Sequence, residues 1–297
     1  LATIADLTHA AGIPLLVDEA HGAHFAFHPA LPISALEAGA DLTIQSTHKT
    51  LSALTQASML HVKGDRIECD RLSQSLQLVQ STSPNYLLLA SLDAACEQMA
   101  TEGKALMERT LQLSEQARSR LQSIPTLSVL DAGKFFALDR TRLTVSLHNL
   151  DGFTADEILH QDLGITAELP GFKHLTFILS LGNTESDIDQ LVNALQTIAT
   201  QTTSFSPIPL LPSSSPELAA TPREAFFCAT ETLPIEQACD RITTEIICPY
   251  PPGIPLLLPG ERITKAAIAT LQTVLKSGGF ITGCADPDLK TLKVMRF

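Results

Sequence analysis

Two short apolar segments, each followed directly by polar residues, constrain the fold of this chain most strongly. "IPLLVDEA" begins at Ile13 and "DLTIQST" begins at Asp41. Continuous apolar runs of this length are typical of parallel strands covered on both faces. A third such run, "ASMLHVKG", begins at Ala57, and "ALEAGA" at residues 35–40 predicts a helix end between the first two strands. This alternation predicts an α/β sheet with right-handed crossovers.

The rest of the chain divides by composition into further parts. Residues 85–122 contain almost no Gly or Pro, which predicts one long helix, or two with a break at Gly103. Helical spacing also predicts a helical piece in "IEQACDRITTEI" from Ile235 and a helix at residues 264–276. We predict an α/β region with long helices at 1–122, a small α/β domain at 123–202, a Ser- and Pro-rich linker at 203–222 and a C-terminal domain at 223–297.

Charge and composition exclude several classes of function. The 297 residues carry 32 acidic and 20 basic side chains, a formal net charge of -12, which argues against sequence-independent binding to nucleic acid. No apolar stretch approaches the length of about 18 residues that a membrane span requires. The six cysteines are scattered without a C-x-x-C pair, so we expect them to be reduced in a cytoplasmic protein.

The first residues have the pattern of a helix. Ile4, Leu7 and Ala11 are spaced for one helix face, and Gly12 follows as a stop signal. The chain begins at Leu1 without an upstream capping residue. From this we expect the chain to be part of a longer one.

The stretch "VDEAH" also occurs in nucleic-acid helicases, where the acidic residues bind magnesium. A helicase needs a phosphate-binding loop, G-x-x-x-x-G-K-[ST]. The Gly-Lys pairs at Gly103 and Gly133 lack both the earlier Gly and the following Ser or Thr. No arginine-rich motif follows, so the helicase interpretation is disfavoured.

A lysine and an aspartate follow the two predicted strands. Asp18 ends the first strand, and Lys49 lies just beyond the second. The carboxyl ends of parallel strands line one crevice where ligands bind, so both side chains are expected to face one ligand. Pyridoxal phosphate requires such a pair, because an amine forms a Schiff base with its aldehyde and a carboxylate keeps its ring nitrogen protonated. On spacing alone, a strand-end acid and an unrelated surface lysine remain the alternative.

Longer segments carry a resemblance to a known family. The segment from Val17 to Val62, "STSPNYLLLASLDAA" from Ser81, and "TPREAFFCATETLPIEQACDRITTEIICPYPPGIPLLLPGE" from Thr221 strongly resemble the fold-type I pyridoxal-phosphate decarboxylases of ornithine, lysine and arginine. The resemblance covers nearly the whole chain. It implies part of an aspartate aminotransferase-like, pyridoxal-phosphate-binding large domain at 1–122, and a decarboxylase domain at the C terminus.

The resemblance also implies roles for individual residues. Lys49 matches the Schiff-base lysine, and Asp18 matches the aspartate at the pyridine nitrogen. Ala20 matches a small residue packed against the ring, and His21 matches a donor to the ring hydroxyl. Ser46 and His48 match two phosphate contacts.

Two further matches lie far from the strand ends in sequence. Ser83 lies in a segment that reaches the neighbouring subunit's cofactor in such dimers. Glu261, in "LLLPGE", lies where the family's C-terminal domain approaches the site entrance and would receive a cationic side chain. The implied partners are therefore a basic amino acid and a second copy of the protein, in a homodimer or a higher homo-oligomer.

The sequence departs from the family pattern in one respect. The Gly/Ser/Thr phosphate loop and the histidine stacked on the ring do not occur in it. We therefore expect little activity from these 297 residues alone. The expected function of the parent protein is decarboxylation of arginine, lysine or ornithine to a polyamine precursor. Another fold-type I enzyme, such as an aminotransferase or lyase, and a non-catalytic remnant remain alternatives.

Three histidines, His21, His24 and His28, have spacings of three and four residues. A metal site would need them on one helix face with a further ligand. Gly22 and Pro29 favour a loop, so we predict no metal site here.

Overall fold

The structure is a computed structural model that describes residues 1–134, 137–148, 150–200, 216–251 and 253–296. The chain forms two compact units. The first consists of Leu1–Ser123, Val129–Leu143 and Ile178–Val192, and the second of Ile124–Ser128, Thr144–Phe177 and Asn193–Phe297. Since each unit gathers separate stretches of chain, the predicted four-part division at 1–122, 123–202, 203–222 and 223–297 stays a prediction.

The first unit contains a three-stranded sheet and four helices before residue 123. In chain order these are α1 Ala2–Ala10, β1 Leu16–Asp18, β2 Leu42–Gln45, α2 Thr47–Thr50, β3 Met59–Val62, α3 Cys69–Val79 and α4 Tyr86–Gln122. The strand order is β1-β2-β3, with β1 parallel to β2 as predicted. β3 is antiparallel to β2, so the sheet is mixed.

Residues 35–40 do not form the predicted helix end. They form turns, with a short 3-10 helix at Phe25–Phe27 earlier in the connection between β1 and β2. Ala35 has its N–H bonded to the carboxylate of Glu19, and Gly39 has a φ of +102°. A positive φ is incompatible with a continuing right-handed helix, which explains the difference.

The predicted first helix forms, and its end follows the sequence signal. Gly12 has a φ of +71°, a conformation that glycine adopts without steric cost. On the face that carries Ile4 and Leu7, these two side chains are 49% and 68% exposed within this chain. Ala5 is the buried residue of this helix.

The predicted helix after residue 85 is one continuous element, α4, without a break at Gly103. The Asn85 side chain begins it by accepting hydrogen bonds from the N–H groups of Leu87 and Leu88. A Cβ added at Gly103 would lie 3.0 Å from Phe27. The glycine therefore allows the close approach of Phe27 to the helix, and packing compensates for its low helix propensity.

A four-stranded sheet follows α4 in the chain. Its strands are β4 Leu127–Val129, β5 Arg142–Leu147, β6 Leu169–Pro170 and β7 His174–Ile178. Their order in the sheet is β4-β5-β7-β6. The helices α5 Gly152–Asp162 and α6 Glu185–Ile198 alternate with these strands, as their apolar spacing predicts. The inward positions of β5, Leu143, Val145 and Leu147, are all buried.

The C-terminal region of the second unit has its own core. Its elements are α7 Pro222–Phe227, β8 Thr230–Pro234, β9 Cys248–Tyr250, α8 Lys265–Lys276, β10 Phe280–Thr282 and β11 Thr291–Met295. Two antiparallel pairs form, β8 with β11 and β9 with β10. The core contains Ile247, Leu257 and Ile263 together with the inner face of α8, which is the helix predicted at residues 264–276.

The helical piece predicted from Ile235 is wrong beyond its first turn. A 3-10 helix at Ile235–Gln237 is followed by bridges that pair Ile242 with Arg262 and Thr243 with Val294. Asp240 has a φ of +65°, which ends any helix there.

Of the predicted linker, residues 203–215 lie outside the described residues. Leu218 pairs with Glu261, so residues close to the linker's end are held within the second unit.

Candidate active site

The carboxyl ends of β1 and β2 come together as their parallel pairing requires. Asp18 is paired with Ile44 in the strand register. Beyond the strands, the N–H of Glu19 donates to the Ile44 carbonyl at 2.9 Å, and the N–H of Ser46 donates to the Ala20 carbonyl at 3.1 Å. These bonds hold the loop after Asp18 beside the short helix α2, which carries Lys49.

Lys49 and His21 are in direct contact at this edge. The side chain of Lys49 is exposed on α2, and its Nζ lies 3.3 Å from Nε2 of His21. His21 follows Asp18 by three residues, so a single turn of loop carries both side chains. The structure thus brings an amine and an imidazole together where the sequence predicts a cofactor lysine and a ring-hydroxyl donor.

The carboxylate of Asp18 is exposed and accepts a local bond. The N–H of Ala20 donates to its Oδ1 at 3.1 Å. The neighbouring Glu19 is 9% exposed, and its two oxygens accept from the Ala35 N–H and the Gln45 amide. Glu19 directly follows β1, and its N–H continues the pairing with β2, so the alternation of side chains in extended chain accounts for these two environments. The Asp18 carboxylate is therefore accessible to a ligand, whereas the Glu19 carboxylate is used in hydrogen bonds that hold the fold together.

Ser46 and His48 both precede Lys49, and they differ in whether their polar side-chain atoms are already hydrogen-bonded. Ser46 precedes α2, and its hydroxyl makes no capping bond to the helix. His48 directs Nδ1 to the Ala57 carbonyl at 2.9 Å. A carbonyl only accepts, so the proton of a neutral His48 ring is on Nδ1 and Nε2 is an acceptor. His48 would therefore donate to a phosphate only with both ring nitrogens protonated.

A charged cluster that the sequence did not predict lies next to His21. The guanidinium of Arg142 contacts Nδ1 of His21, and the Nε of Arg142 lies 3.7 Å from the carboxylate of Asp139. Nε2 of the buried His24 lies 3.2 Å from the same carboxylate. Asp139 and Arg142 are three residues apart in the segment "LDRTR", so their pairing is local in sequence. The contact between Arg142 and His21, in contrast, joins residues 121 positions apart.

Asp139 is ionised in this cluster. Burial alone would raise its pKa, but the hydrogen bond and charge of His24, with two bonds from Thr141, outweigh burial and lower the pKa below its ordinary value. The resulting negative charge holds the guanidinium of Arg142 in place.

The remaining predicted residues lie outside this cluster. Ser83 is exposed ahead of α4, and its N–H is bonded to the hydroxyl of Ser81. Glu261 belongs to the second unit, where its carboxylate accepts from the Leu258 N–H at 2.7 Å. Their predicted roles at a neighbouring subunit's cofactor and at the site entrance stay predictions.

The three histidines of "HGAHFAFH" have different partners. His21 contacts Lys49 and Arg142, His24 contacts Asp139, and His28 contacts Glu108 at 2.7 Å. Within the described ranges, no group of three or more His, Cys, Asp or Glu side chains converges as a metal site would require.

A cavity of about 250 Å³ is lined in part by Thr47 of α2, the helix that also carries Lys49. Gln45, His61 and Met99 are among its mainly apolar lining, and none of the predicted site residues contributes to it. The cavity is smaller than most ligand pockets. We therefore identify the candidate site by its side-chain chemistry and not by enclosed volume.

Sequence profiles of one family match both parts of the chain. Residues 1–215 match the profile of the Orn/Lys/Arg decarboxylase major domain, and residues 208–280 match that of the Orn/Lys/Arg decarboxylase C-terminal domain. The chain belongs to the Orn/Lys/Arg decarboxylase family. The resemblance found in the sequence is thereby confirmed at the level of the family.

Curated arginine and lysine decarboxylases are similar to this chain over most or all of its length. The arginine decarboxylases of Halalkalibacterium halodurans and Bacillus subtilis are each 38% identical to it over its whole length. The constitutive lysine decarboxylase of Escherichia coli is 25% identical over 78% of the chain. The chain spans 62% and 63% of the lengths of the two arginine decarboxylases.

Solved structures show the same fold. The constitutive lysine decarboxylase of E. coli superposes with a TM-score of 0.81 at 21% identity, covering 96% of this chain and 55% of that chain. The lysine decarboxylase of Francisella novicida superposes with a TM-score of 0.79 at 23% sequence identity. The match covers 95% of this chain and 53% of that chain. An alanine–glyoxylate aminotransferase from Nostoc gives 0.54 at 22% over 66% of this chain and 56% of that chain. The mixed α/β architecture is therefore shared with decarboxylases and, over part of its length, with an aminotransferase.

Of the helices in the part of the chain that the structure describes, none has a stretch long and apolar enough to cross a membrane.

Proposed function

We propose that the protein is a pyridoxal-phosphate-dependent decarboxylase of a basic amino acid. The observation that carries the proposal is the exposed pair of Asp18 and Lys49 at the carboxyl ends of two paired parallel strands. Membership of the Orn/Lys/Arg decarboxylase family supports the reaction. Because the relatives with 38% identity are named arginine decarboxylases, arginine is the first substrate to assay.

The residues present fit the ring half of this cofactor. Lys49 supplies a primary amine, Asp18 a carboxylate with an available oxygen, and His21 an imidazole beside the amine. The hydroxyl of Ser46 lies one residue before α2 and is our candidate for a phosphate contact, together with His48. Ala20 adds a small side chain between Asp18 and His21, where a flat ring would need space.

The chemistry divides between the cofactor and the chain. Pyridoxal phosphate would supply an aldehyde that combines with amines and a ring that accepts the electrons of the bond to the departing carboxylate. Asp18 would hold a proton at the ring nitrogen, because an ionised carboxylate beside it favours the protonated form. His21 would donate to the ring oxygen, and Lys49 would hold the cofactor until the substrate's amine replaces it.

We also propose the wider setting of the enzyme. A basic substrate would give an amine that serves as a polyamine precursor, and the acidic net charge of -12 suits a cationic substrate. Glu261 is a candidate partner for the substrate's cationic side chain. The scattered cysteines favour the reducing cytoplasm.

A homodimer or higher homo-oligomer belongs to the same proposal. The segment around Ser83 is flanked by exposed apolar side chains: Leu78 is 87%, Val79 80%, Tyr86 77% and Leu87 73% exposed. Large exposed apolar side chains grouped along a short stretch of chain favour an interface. Sedimentation velocity should show an assembly, and Leu78→Asp with Tyr86→Asp should shift it toward monomer.

Borohydride trapping tests the cofactor assignment directly. The protein is incubated with pyridoxal phosphate, reduced and mapped by peptide mass spectrometry. We expect the reduced cofactor on Lys49, its loss in Lys49→Arg, and unchanged labelling in the control Lys63→Arg, which alters an exposed lysine bonded to the Leu36 carbonyl. A label on another lysine with Lys49 unmodified would overturn the assignment.

The same experiment separates the alternatives. Label on Lys49 without carbon dioxide release from arginine, lysine or ornithine would indicate a cofactor-binding chain that does not catalyse decarboxylation. No label on any lysine would indicate a non-catalytic remnant. The match of both family domains favours decarboxylation over transamination.

A further inference from the structure

Four side chains with soft donor atoms line the cavity in the first unit. Met59 and His61 come from β3, and Cys96 and Met99 come from α4. Residues two apart on a strand, and residues three apart on a helix, lie on the same face. The strand and the helix therefore each contribute two thioether, thiol or imidazole groups to one space of about 250 Å³.

Two of the sulfur atoms are in contact. Sγ of Cys96 lies 3.9 Å from Sδ of Met59, and the two residues are 37 positions apart in sequence. Two sulfur atoms that each lie about 2.3 Å from one ion are about 3.8–4.0 Å apart in tetrahedral or trigonal geometry. The observed separation is therefore that of two ligands of a single ion.

The imidazole of His61 provides a third donor in the same cavity. Its Nε2 is buried and has no hydrogen-bond partner among the described residues. A buried polar atom without a partner costs free energy, and a bound ion is one of the partners that removes this cost. The nitrogen of a neutral imidazole is also a common metal ligand.

The donor atoms determine which class of ion fits. Thiolate and thioether sulfur bind soft ions such as Cu(I), and imidazole is compatible with copper. Zinc sites use cysteine, histidine and carboxylate ligands, so the thioether of Met59 favours copper over zinc. Cys96 is exposed, which gives an ion a path into the site.

We propose that Met59, His61 and Cys96 form a binding site for a soft monovalent cation, Cu(I). Cys96 binds as the thiolate and releases its proton to solvent, while Met59 binds through Sδ and His61 through Nε2. The ion keeps its oxidation state, so the step requires no oxidant or reductant. The site uses none of the residues assigned to the cofactor, and it is therefore independent of the proposed function.

Protection from alkylation measures ion binding at a single thiol. Protein expressed from its complete coding sequence is kept without oxygen in a series of chelator-buffered Cu(I) concentrations, treated with N-ethylmaleimide and mapped by peptide mass spectrometry. We expect Cu(I) to slow the alkylation of Cys96 while the exposed Cys69 of the same molecule still reacts. An excess of Zn(II) should give Cys96 no more protection than Cys69.

Two variants separate a three-ligand site from a lone thiol, because both leave Cys96 in place. Met59→Leu conserves the side-chain volume, and His61→Phe retains a ring without its nitrogens. Each should raise the Cu(I) concentration for half-protection about tenfold or more, since even residues behind a metal ligand contribute that much to affinity. The matched control is Met295→Leu, which alters a half-buried methionine of β11 and should leave this concentration unchanged.

Several outcomes would overturn the proposal. They are equal protection of Cys69 and Cys96, no protection of Cys96, and a Cys96 that does not react even before copper is added, because an ion would then have no path. An unchanged half-protection concentration in a folded Met59→Leu or His61→Phe protein would remove that residue from the site and reject the three-ligand assignment. If circular dichroism shows that one variant does not fold, the other decides. Preferential protection of Cys96 by Zn(II) would reject the assignment to a soft ion.

Discussion

Asp18 and Asp41 lie at opposite ends of the same pair of parallel strands, and their carboxylates have different surroundings. Asp18 ends β1, is exposed, and accepts a bond from the N–H of Ala20. Asp41 precedes β2, is 2% exposed, and is bonded to the Leu15 N–H, His9 and Arg66. The carboxylate of Asp41 joins residues of α1 and of the segments next to β1 and β3 through hydrogen bonds, whereas the carboxylate of Asp18 is exposed.

The two environments predict different consequences when Asp18 and Asp41 are substituted. A buried carboxylate costs free energy unless its lone pairs are satisfied, and the three partners of Asp41 satisfy them. Burial would raise its pKa, but the Leu15 N–H, His9 and Arg66 outweigh burial and lower it below the ordinary value. Changes at Asp41 should therefore affect folding first, and changes at Asp18 should affect chemistry first.

The largest expected effect is that of Asp18→Asn on decarboxylation. An amide cannot hold a proton at the ring nitrogen, so we expect about a 1000-fold lower rate, equal to about 4 kcal/mol in barrier. Because Asp18 is exposed, the free energy of unfolding should change by less than about 0.5 kcal/mol. Carbon dioxide release and urea unfolding are measured on protein expressed from its complete coding sequence. A rate within about threefold of the parent would contradict the assigned role.

Asp41→Asn should have the next largest effect, on stability. The substitution removes the charge that pairs with Arg66 and leaves a buried amide facing donors, at a cost of about 3 kcal/mol. Urea unfolding followed by circular dichroism measures this loss. Asp65→Asn, at an exposed position near β3, is the control and should change stability by less than about 0.5 kcal/mol. Equal effects of the two substitutions would refute the contrast.

Glu19→Gln should have a smaller effect on stability than Asp41→Asn. Its oxygens accept from the Ala35 N–H at 2.8 Å and the Gln45 amide at 2.6 Å. A glutamine retains one acceptor, and the Gln45 amide can reverse to accept from the new N–H, so the cost is about 1 kcal/mol. The exposed Glu37→Gln is the control. A fall in the free energy of unfolding as large as that of Asp41→Asn would show that Glu19 stabilises the fold through its charge and not through its hydrogen bonds.

The sequence predicted local elements more reliably than distant contacts. The strands that end at Asp18 and Gln45, the long helix after Asn85 and the helix at residues 264–276 follow from apolar periodicity and capping, which act within a few residues. Residues 35–40 were predicted as helical, but a positive φ and a bond to Glu19 override their helix propensity. Local tendencies are weak compared with such tertiary contacts.

The candidate site shows the same limit. The position of Asp18 and Lys49 at one edge of the sheet could be predicted, because the carboxyl ends of parallel strands lie together. The cofactor roles of Asp18, Lys49, His21, Ser46 and His48 come from the resemblance and stay predictions. The contacts of Arg142 with His21 and of Asp139 with His24 could not be predicted, because each joins residues more than 110 positions apart. Charges at such separations carry no periodicity, so only the folded chain brings them together.

The smallest expected effect is the pH dependence of the Asp41 contribution. A carboxylate whose pKa is lowered on folding contributes stability above its unfolded pKa and loses that contribution as the pH falls through the folded value. The difference in unfolding free energy between the parent and Asp41→Asn should therefore be constant above about pH 5 and should narrow toward pH 3. Urea unfolding of both proteins at several pH values measures it. A difference that widens in acid would mean that Asp41 is destabilised as an ion, and that the bonds from Leu15, His9 and Arg66 do not outweigh its burial.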